Sequence, residues 1–284
     1  MRNQSFLHDF WKAAGAVPLV LVLALIPVLA SRDSGAAMEA PLLLAWLSTI
    51  FLGGIPLALA FLAAGSYQAT GARLFLMLGC GLLTFGVSSL LAGWAMPVSG
   101  HPNATVTLHN LGCLVAGVCH LLGAHYVLAD MGGILRPRFH IRRAAVPYLS
   151  IVAFWIVVLW LVLHDKLPAF FVPGYGPTPL RQFVLGGALF MFALSGFLFL
   201  ELARILKTGF AYWYGLALLM IAGGLAFVLL QPVVGGMLGW AGRSAQYLGS
   251  LYFIGALWRG RVEFKQANQT SPSAAPAIFW PLLE

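Results

Sequence analysis

Three histidines fall within one apolar stretch, residues 108–130: His109, His120 and His125. At about 100° per residue, positions 109, 113 and 120 lie within about 40° of one another on a helix. His109, Cys113 and His120 therefore share a face, with Asn110 beside its outer end, and His125 points nearly the opposite way. Imidazole and thiol are metal-ligand chemistry, and polar groups at membrane depth are rare, costly and often functional. Eleven residues separate His109 from His120, about 16 Å along the axis, so one metal cannot bridge both. Two haems stacked across a membrane would each need a second axial ligand. The remaining histidines, His8, His101, His140 and His164, lie at chain ends or in loops. No cofactor is therefore expected. Haem with His/Met ligation or at a dimer interface, and a soft copper site drawing on His109, Cys113, His120 or Cys80, stay open as alternatives. Cys80, Cys113 and Cys119 all fall in apolar stretches without CxxC spacing, so neither disulfides nor a zinc site is expected. As an alternative to a functional role, His120 and Cys113 serve as an intramembrane relay or as packing residues.

The elements that hold these residues are membrane spans. The chain is 61% hydrophobic and 8% charged, with a mean hydropathy of +0.90. Repeated apolar runs near the 20-residue spanning length predict an all-α polytopic membrane protein. The runs are 13–30, 41–64, 74–96, 108–130, 145–163, 181–203, 212–234 and 244–258, an eight-helix bundle with no extramembrane domain. Run 13–30 is read as a retained first helix and not a cleaved signal, because seven more spans follow. Small residues recur every four positions at Gly112, Ala116, His120 and Ala124, and in Gly53-Gly54 and Gly223-Gly224, which is the vocabulary of close helix contact. Leu76–Leu82 and Leu219–Leu225 echo each other weakly, compatible with a duplicated half.

Eight spans put both termini on one side, and Lys and Arg choose it. Arg2, Lys12, Arg73, Arg136, Arg138, Arg142, Arg143, Arg204, Lys207, Arg259, Arg261 and Lys265 fall on one side, twelve against the four of Arg32, Lys166, Arg181 and Arg243. Both ends are expected in the cytoplasm, in a cytoplasmic membrane. The pI near 9.8 then reflects basic loops facing anionic lipid, with no nucleic acid partner. The outer loops 97–107, 164–180 and 235–243 are short and Gly/Pro-rich, too small to fold alone. Residues 259–267 continue the last helix into the cytoplasm, and 268–276 have flexible-linker composition, as if leading to a further module.

With this topology the polar residues sort by depth. His109 and Asn110 start one span, Arg181 and Gln182 another, and Arg243, Gln246 and Tyr247 a third. Gln231 ends a fourth, and Trp94 and Trp240 sit at the same level. Different stretches converging on one layer suit an interhelical pocket. Two arginines favour an anionic or carbonyl-bearing ligand, and the tryptophans with Tyr247 and Tyr252 supply a flat apolar wall. The same residues also suit an interfacial aromatic belt with snorkelling arginines.

Three stretches carry a resemblance. They are Asn103-Ala104-Thr105-Val106-Thr107-Leu108-His109-Asn110-Leu111-Gly112 followed by His120; Phe171-Val172-Pro173-Gly174-Tyr175-Gly176-Pro177-Thr178-Pro179-Leu180-Arg181-Gln182; and Gly239-Trp240-Ala241-Gly242-Arg243-Ser244-Ala245-Gln246-Tyr247-Leu248-Gly249 with Tyr252. Across residues 10–260 the chain resembles the N-terminal membrane sensor region (MASE-like) of bacterial multidomain sensor histidine kinases of two-component systems. The resemblance implies an input domain that signals to a PAS/kinase module downstream or in trans, in a homodimer. It supplies a role and no chemistry. The expected ligand is a small molecule, lipid or quinone-like compound in the outer-layer pocket. Transport of a small molecule or ion is the alternative, although Asp130 and Glu201 sit at cytoplasmic ends, unsuited to an ion path. Catalysis within the chain is not expected, because acidic residues are few and no nucleophile–base pair stands out.

Overall fold

The computed structural model describes residues 2–33, 35–38, 40–100, 102–131, 145–172 and 174–270. The arginine-rich stretch holding Arg136, Arg138, His140, Arg142 and Arg143, His101, and residues 271–284 of the expected linker lie outside the described residues, as do the side chains of Arg2, His8, Lys12 and Asp130. In chain order the elements are α1 (Arg2–Ala30), α2 (Pro41–Leu47), a π-helical segment (Ser48–Gly54), α3 (Ile55–Thr70), α4 (Arg73–Ser99), α5 (Pro102–Met131), α6 (Ala145–Leu163), β1 (Phe171–Val172), β2 (Gly176–Pro177), α7 (Pro179–Leu206), α8 (Gly209–Leu230) and α9 (Met237–Thr270). α2, the π segment and α3 follow without a break. β1 and β2 are a single antiparallel pair.

Among the described residues seven helices are long and apolar enough to cross a membrane: Ala13–Ala30, Pro41–Gln68, Arg73–Ser99, Pro102–Ala129, Ala145–Leu163, Pro179–Leu206 and Gly209–Leu230. The all-helical architecture expected from the apolar runs is present, and these helices are compatible with a multi-pass membrane protein. The last run, 244–258, lies inside the 34-residue α9, where Arg243, Arg259 and Arg261 flank it, and α9 is not among those seven.

Two supposed loops are largely helix. Residues 97–99 finish α4, and α5 begins at Pro102, so only two residues of 97–107 lie between helices. Gly100, at φ +69°, ends α4 in the left-handed conformation, its N–H donating to Met96 O at 2.9 Å. Proline then suits the first turn, where its missing N–H would have no partner anyway. The polar run Asn103–Thr107 looks like loop by composition, yet Asn103 Oδ1 accepts from the N–H groups of Phe170 and Phe171 at 2.8 and 3.0 Å. Its polarity is spent on holding the 164–178 connection over the bundle. Likewise 235–243 is helical from Met237, which places Arg243 well inside α9. α7 starts conventionally: Thr178 caps it, its side chain accepting from Arg181 N, and Pro179 follows.

α8 is the centre and is largely buried, whereas α1 and α6 lie at the periphery with few of their residues buried. It is apolar all round, as a fully enclosed helix should be. Its closest neighbour is α9. A Cβ added at Gly224 would lie 2.5 Å from Gly242 O, and one at Gly242 would lie 2.6 Å from Gly224 O. The two backbones therefore touch, which only glycine at both positions permits. α7 meets α8 in the same manner through Gly196 and Gly215. On the outside, α1 and α6 expose Leu21, Leu23, Leu149, Phe154, Ile156 and Trp160, a surface that water would not tolerate at this extent and lipid would.

Candidate ligand-binding site

One end of the bundle gathers the end of α4, the starts of α2, α5 and α9, the end of α8 and the 31–40 connection. Between them is a cavity of about 250 Å³. Its polar lining is His109, Asn110, Thr105, Gln231 and Arg243. Its apolar lining includes Met38, Leu44, Met96, Phe171, Val228 and Trp240. Among the described residues no lining side chain is acidic.

Each polar group is delivered by an identifiable element. His109 and Asn110 sit one after the other on α5, 2% and 1% exposed. Cys113, one turn on, places its Sγ 3.6 Å from His109 Nε2. Gln231 follows the last residue of α8, where an extended backbone, φ −66° and ψ 128°, ends the helix. Gly239 makes room for it, since a Cβ there would collide with Gln231 Oε1. Trp240 and Arg243 are one turn apart on α9, and the Trp240 indole N–H donates to Met38 O at 3.2 Å. Met38 N in turn donates to Gly235 O at 2.9 Å, so the 31–40 connection is stitched to the α8–α9 turn and closes one wall.

The unused hydrogen-bonding capacity here is mostly donor capacity. Asn110 Nδ2 is buried without a partner. Arg243 forms no hydrogen bond or ion pair among the described residues, and neither does the Gln231 side chain. Buried polar groups normally find partners, and leaving one unmade costs about 1–3 kcal/mol. A cluster of such groups around an open space is arranged for something that enters it.

Arg181 lies behind this wall. It is fully buried, and its Nη2 donates to Val228 O at 2.6 Å. Val228 is in the last turn of α8, whose carbonyls have no helical partner. Arg181 Nε and Nη1 have none either. Of the residues placed in one layer by sequence, His109, Asn110, Gln231, Trp240 and Arg243 line the cavity, and Arg181 backs it. Gln246 and Tyr247 continue inward on the buried face of α9. The Gln246 amide is fully buried with neither atom paired, and Tyr247 packs on Phe51 of the π segment at 5.4 Å. Trp94 and half-buried Gln182 do not line the cavity. The Trp94 indole donates to Thr49 Oγ1 at 2.9 Å, bracing α4 against the π segment. The sequence reading missed Met38, Leu44, Thr105 and Phe171.

His120 belongs to a separate, deeper cluster. Its Nδ1 forms a hydrogen bond with the Tyr214 hydroxyl of α8 at 3.1 Å. Ser88 bonds back to Phe85 O, and the Thr84 and Ser89 hydroxyls stay unpaired. Gly81 admits the imidazole to the α4 backbone, with a Cβ there meeting His120 Cε1 at 2.7 Å. Phe192 and Phe253 enclose the ring at 5.6 and 6.3 Å between centroids. Tyr214→Phe should therefore preserve the packing and lose one interhelical hydrogen bond, costing about 1 kcal/mol. A melting curve of the purified variant would show a small downward shift, and cavity ligands should bind it unchanged. His125, on the opposite face of α5, is exposed.

Among the described residues no three or more His, Cys, Asp or Glu side chains converge as a metal would need. The His109–Cys113 pair thus lacks a third ligand there, Cys80 included. The chain matches no family model, no curated protein and no solved structure.

Proposed function

We propose that this chain is the membrane-embedded input region of a bacterial signal-transduction protein of the histidine-kinase type. It binds a small amphiphile in the cavity and passes the change on through α9. In this reading α9 is an eighth span. Both termini are cytoplasmic, in keeping with the twelve-to-four asymmetry of basic residues, and the protein works as a homodimer in the cytoplasmic membrane with a PAS/kinase module downstream or in trans. The observation that carries the reading is that one helix holds both ends of the event. Trp240 and Arg243 line the cavity, and the same helix runs on to Thr270. A ligand moves a conformational equilibrium only through its differential affinity for the two states, so the helix it touches should be the helix that reports.

At the far end α9 is held as well. The Glu263 carboxylate accepts from Gly209 N at 2.7 Å and from Thr208 Oγ1 at 3.0 Å, a negative group at the start of α8 where the helix dipole favours it. With the chain fused to a kinase reporter, Arg243→Ala should abolish the response to ligand. Glu263→Gln should change the basal output while leaving ligand binding intact. Wild-type signalling from both variants would refute the sensor reading, and solute flux through proteoliposomes would replace it with transport.

A further inference from the structure

The cavity's chemistry selects a ligand class. Among the described residues its one permanent charge is the Arg243 guanidinium, which has no hydrogen-bond or ion-pair partner there, and none of the lining side chains is a carboxylate. An unpaired cation in a poorly solvated site is costly, and a bidentate carboxylate is its natural complement. Asn110 adds a buried amide N–H₂ with no acceptor, on a side chain 1% exposed that lines the same cavity. Gln231, its amide uncommitted, faces the space from the α8 end. These groups ask for acceptor oxygens carrying about one negative charge. The rest of the wall, including Met96, Phe171, Val228 and Trp240, asks for hydrocarbon.

Size narrows the choice. A cavity of 250 Å³ equals about eight liquid-water volumes. That is room for a carboxylate head and a short apolar body, and too little for the two chains of a phospholipid.

We propose that the cavity holds the carboxylate of an apolar monoanion, with Arg243 pairing both oxygens and Asn110 donating to one of them. This rests on the cavity being a ligand site, and it names the ligand. Such a molecule could arrive as a fatty acid from the membrane or as a small aliphatic or aromatic acid from water. The chemistry at Arg243 is the same for either source.

The test uses the full chain in nanodiscs and a photoreactive decanoate as probe. Saturable labelling of α5 or α9 peptides is expected, competed by decanoate and not by methyl decanoate or decanol. Arg243→Gln should weaken it on the order of 10- to 100-fold without lowering the melting temperature. Arg243→Lys should fall between the two, and Arg204→Gln, at the opposite end of the bundle, should behave as wild type. Competition by hexanoate or benzoate with the same Arg243 dependence also supports the proposal and assigns the source to water. Equal competition by the methyl ester, or stronger competition by a neutral short-chain quinone, would overturn the carboxylate assignment and leave the cavity as a ligand site. Absence of saturable labelling, or labelling indifferent to Arg243→Gln, would overturn it outright. Decanoate binding that depends on Arg243 but leaves the kinase fusion's output unchanged would uphold the carboxylate site while refuting the sensor reading.

Discussion

Leucine at Gly224 should cost about 3 kcal/mol or more and separate α8 from α9, the largest loss expected of any single substitution in this bundle. Overpacking a tight interior costs typically 1–3 kcal/mol when neighbours can yield. Here the first atom met is a backbone oxygen, Gly242 O at 2.5 Å, followed by Gln246 Cγ at 2.7 Å. A carbonyl inside a helix cannot rotate away, so the two helices must move apart. That would expose Gln246 and open the cavity beside it. The measurement is a melting or SDS-titration curve on purified protein, with Gly65→Leu as the control. A Cβ at Gly65 meets nothing within 4 Å, and removing a helix glycine there should be neutral or slightly stabilising. Matching curves for the two variants would show that the α8–α9 contact is looser than the glycine pair indicates.

The second large effect is at Arg181, where alanine and methionine should differ. Arg181→Ala removes a fully buried side chain and leaves both a void and an uncapped Val228 carbonyl. A loss of about 2–4 kcal/mol is expected. Arg181→Met fills most of the stem's volume and also removes a buried charge with two unpaired nitrogens. Replacing buried ionic groups by apolar ones of similar size is often neutral or better, so methionine should lie within about 1 kcal/mol of wild type. Equal destabilisation by both would mean that the bond to Val228 O carries the site, and not the packing of the stem. In either case the carboxylate should still bind, since Arg243 and not Arg181 faces the cavity.

The sequence disclosed the parts of this structure that depend on composition alone. Apolar runs mark the spans because lipid demands about 20 apolar residues whatever the neighbours are. His109, Asn110, Gln231, Trp240 and Arg243 were legible as a layer because helix ends in a bundle fall at similar heights. What stayed hidden depends on partners remote in sequence. Asn103 belongs to a helix because Phe170 and Phe171 use its oxygen. His120 turns to Tyr214, 94 residues away, and not to the hydroxyls nearest in the chain. Trp94 faces Thr49 because a π segment carries Thr49 round toward α4, and nothing local in Ser48–Gly54 announces that segment. The 31–40 connection forms a cavity wall through backbone bonds of Met38, which have no side-chain signature.

The two fastenings of α9 to α8 have a mechanical meaning. Gly242 is in backbone contact with Gly224 at one end, and Glu263 grips the first residues of α8 at the other. The two points are about 31 Å apart along α9. A rod pinned twice to the same neighbour can neither slide nor swivel against it, so α8 and α9 travel as one stiff body. α7 is fastened to α8 at two points as well, through Gly196 with Gly215 and through Arg181 with Val228 O, so in a sensor of the proposed kind the stroke would fall between these helices and the rest, where Tyr247 leans on the π segment. A tilt of about 5° pivoting at Arg243 would carry Thr270, about 40 Å further along, through roughly 3.5 Å. Under the proposed function the long helix would act as a lever arm, turning a small displacement at the cavity into one of atomic size at the opposite face.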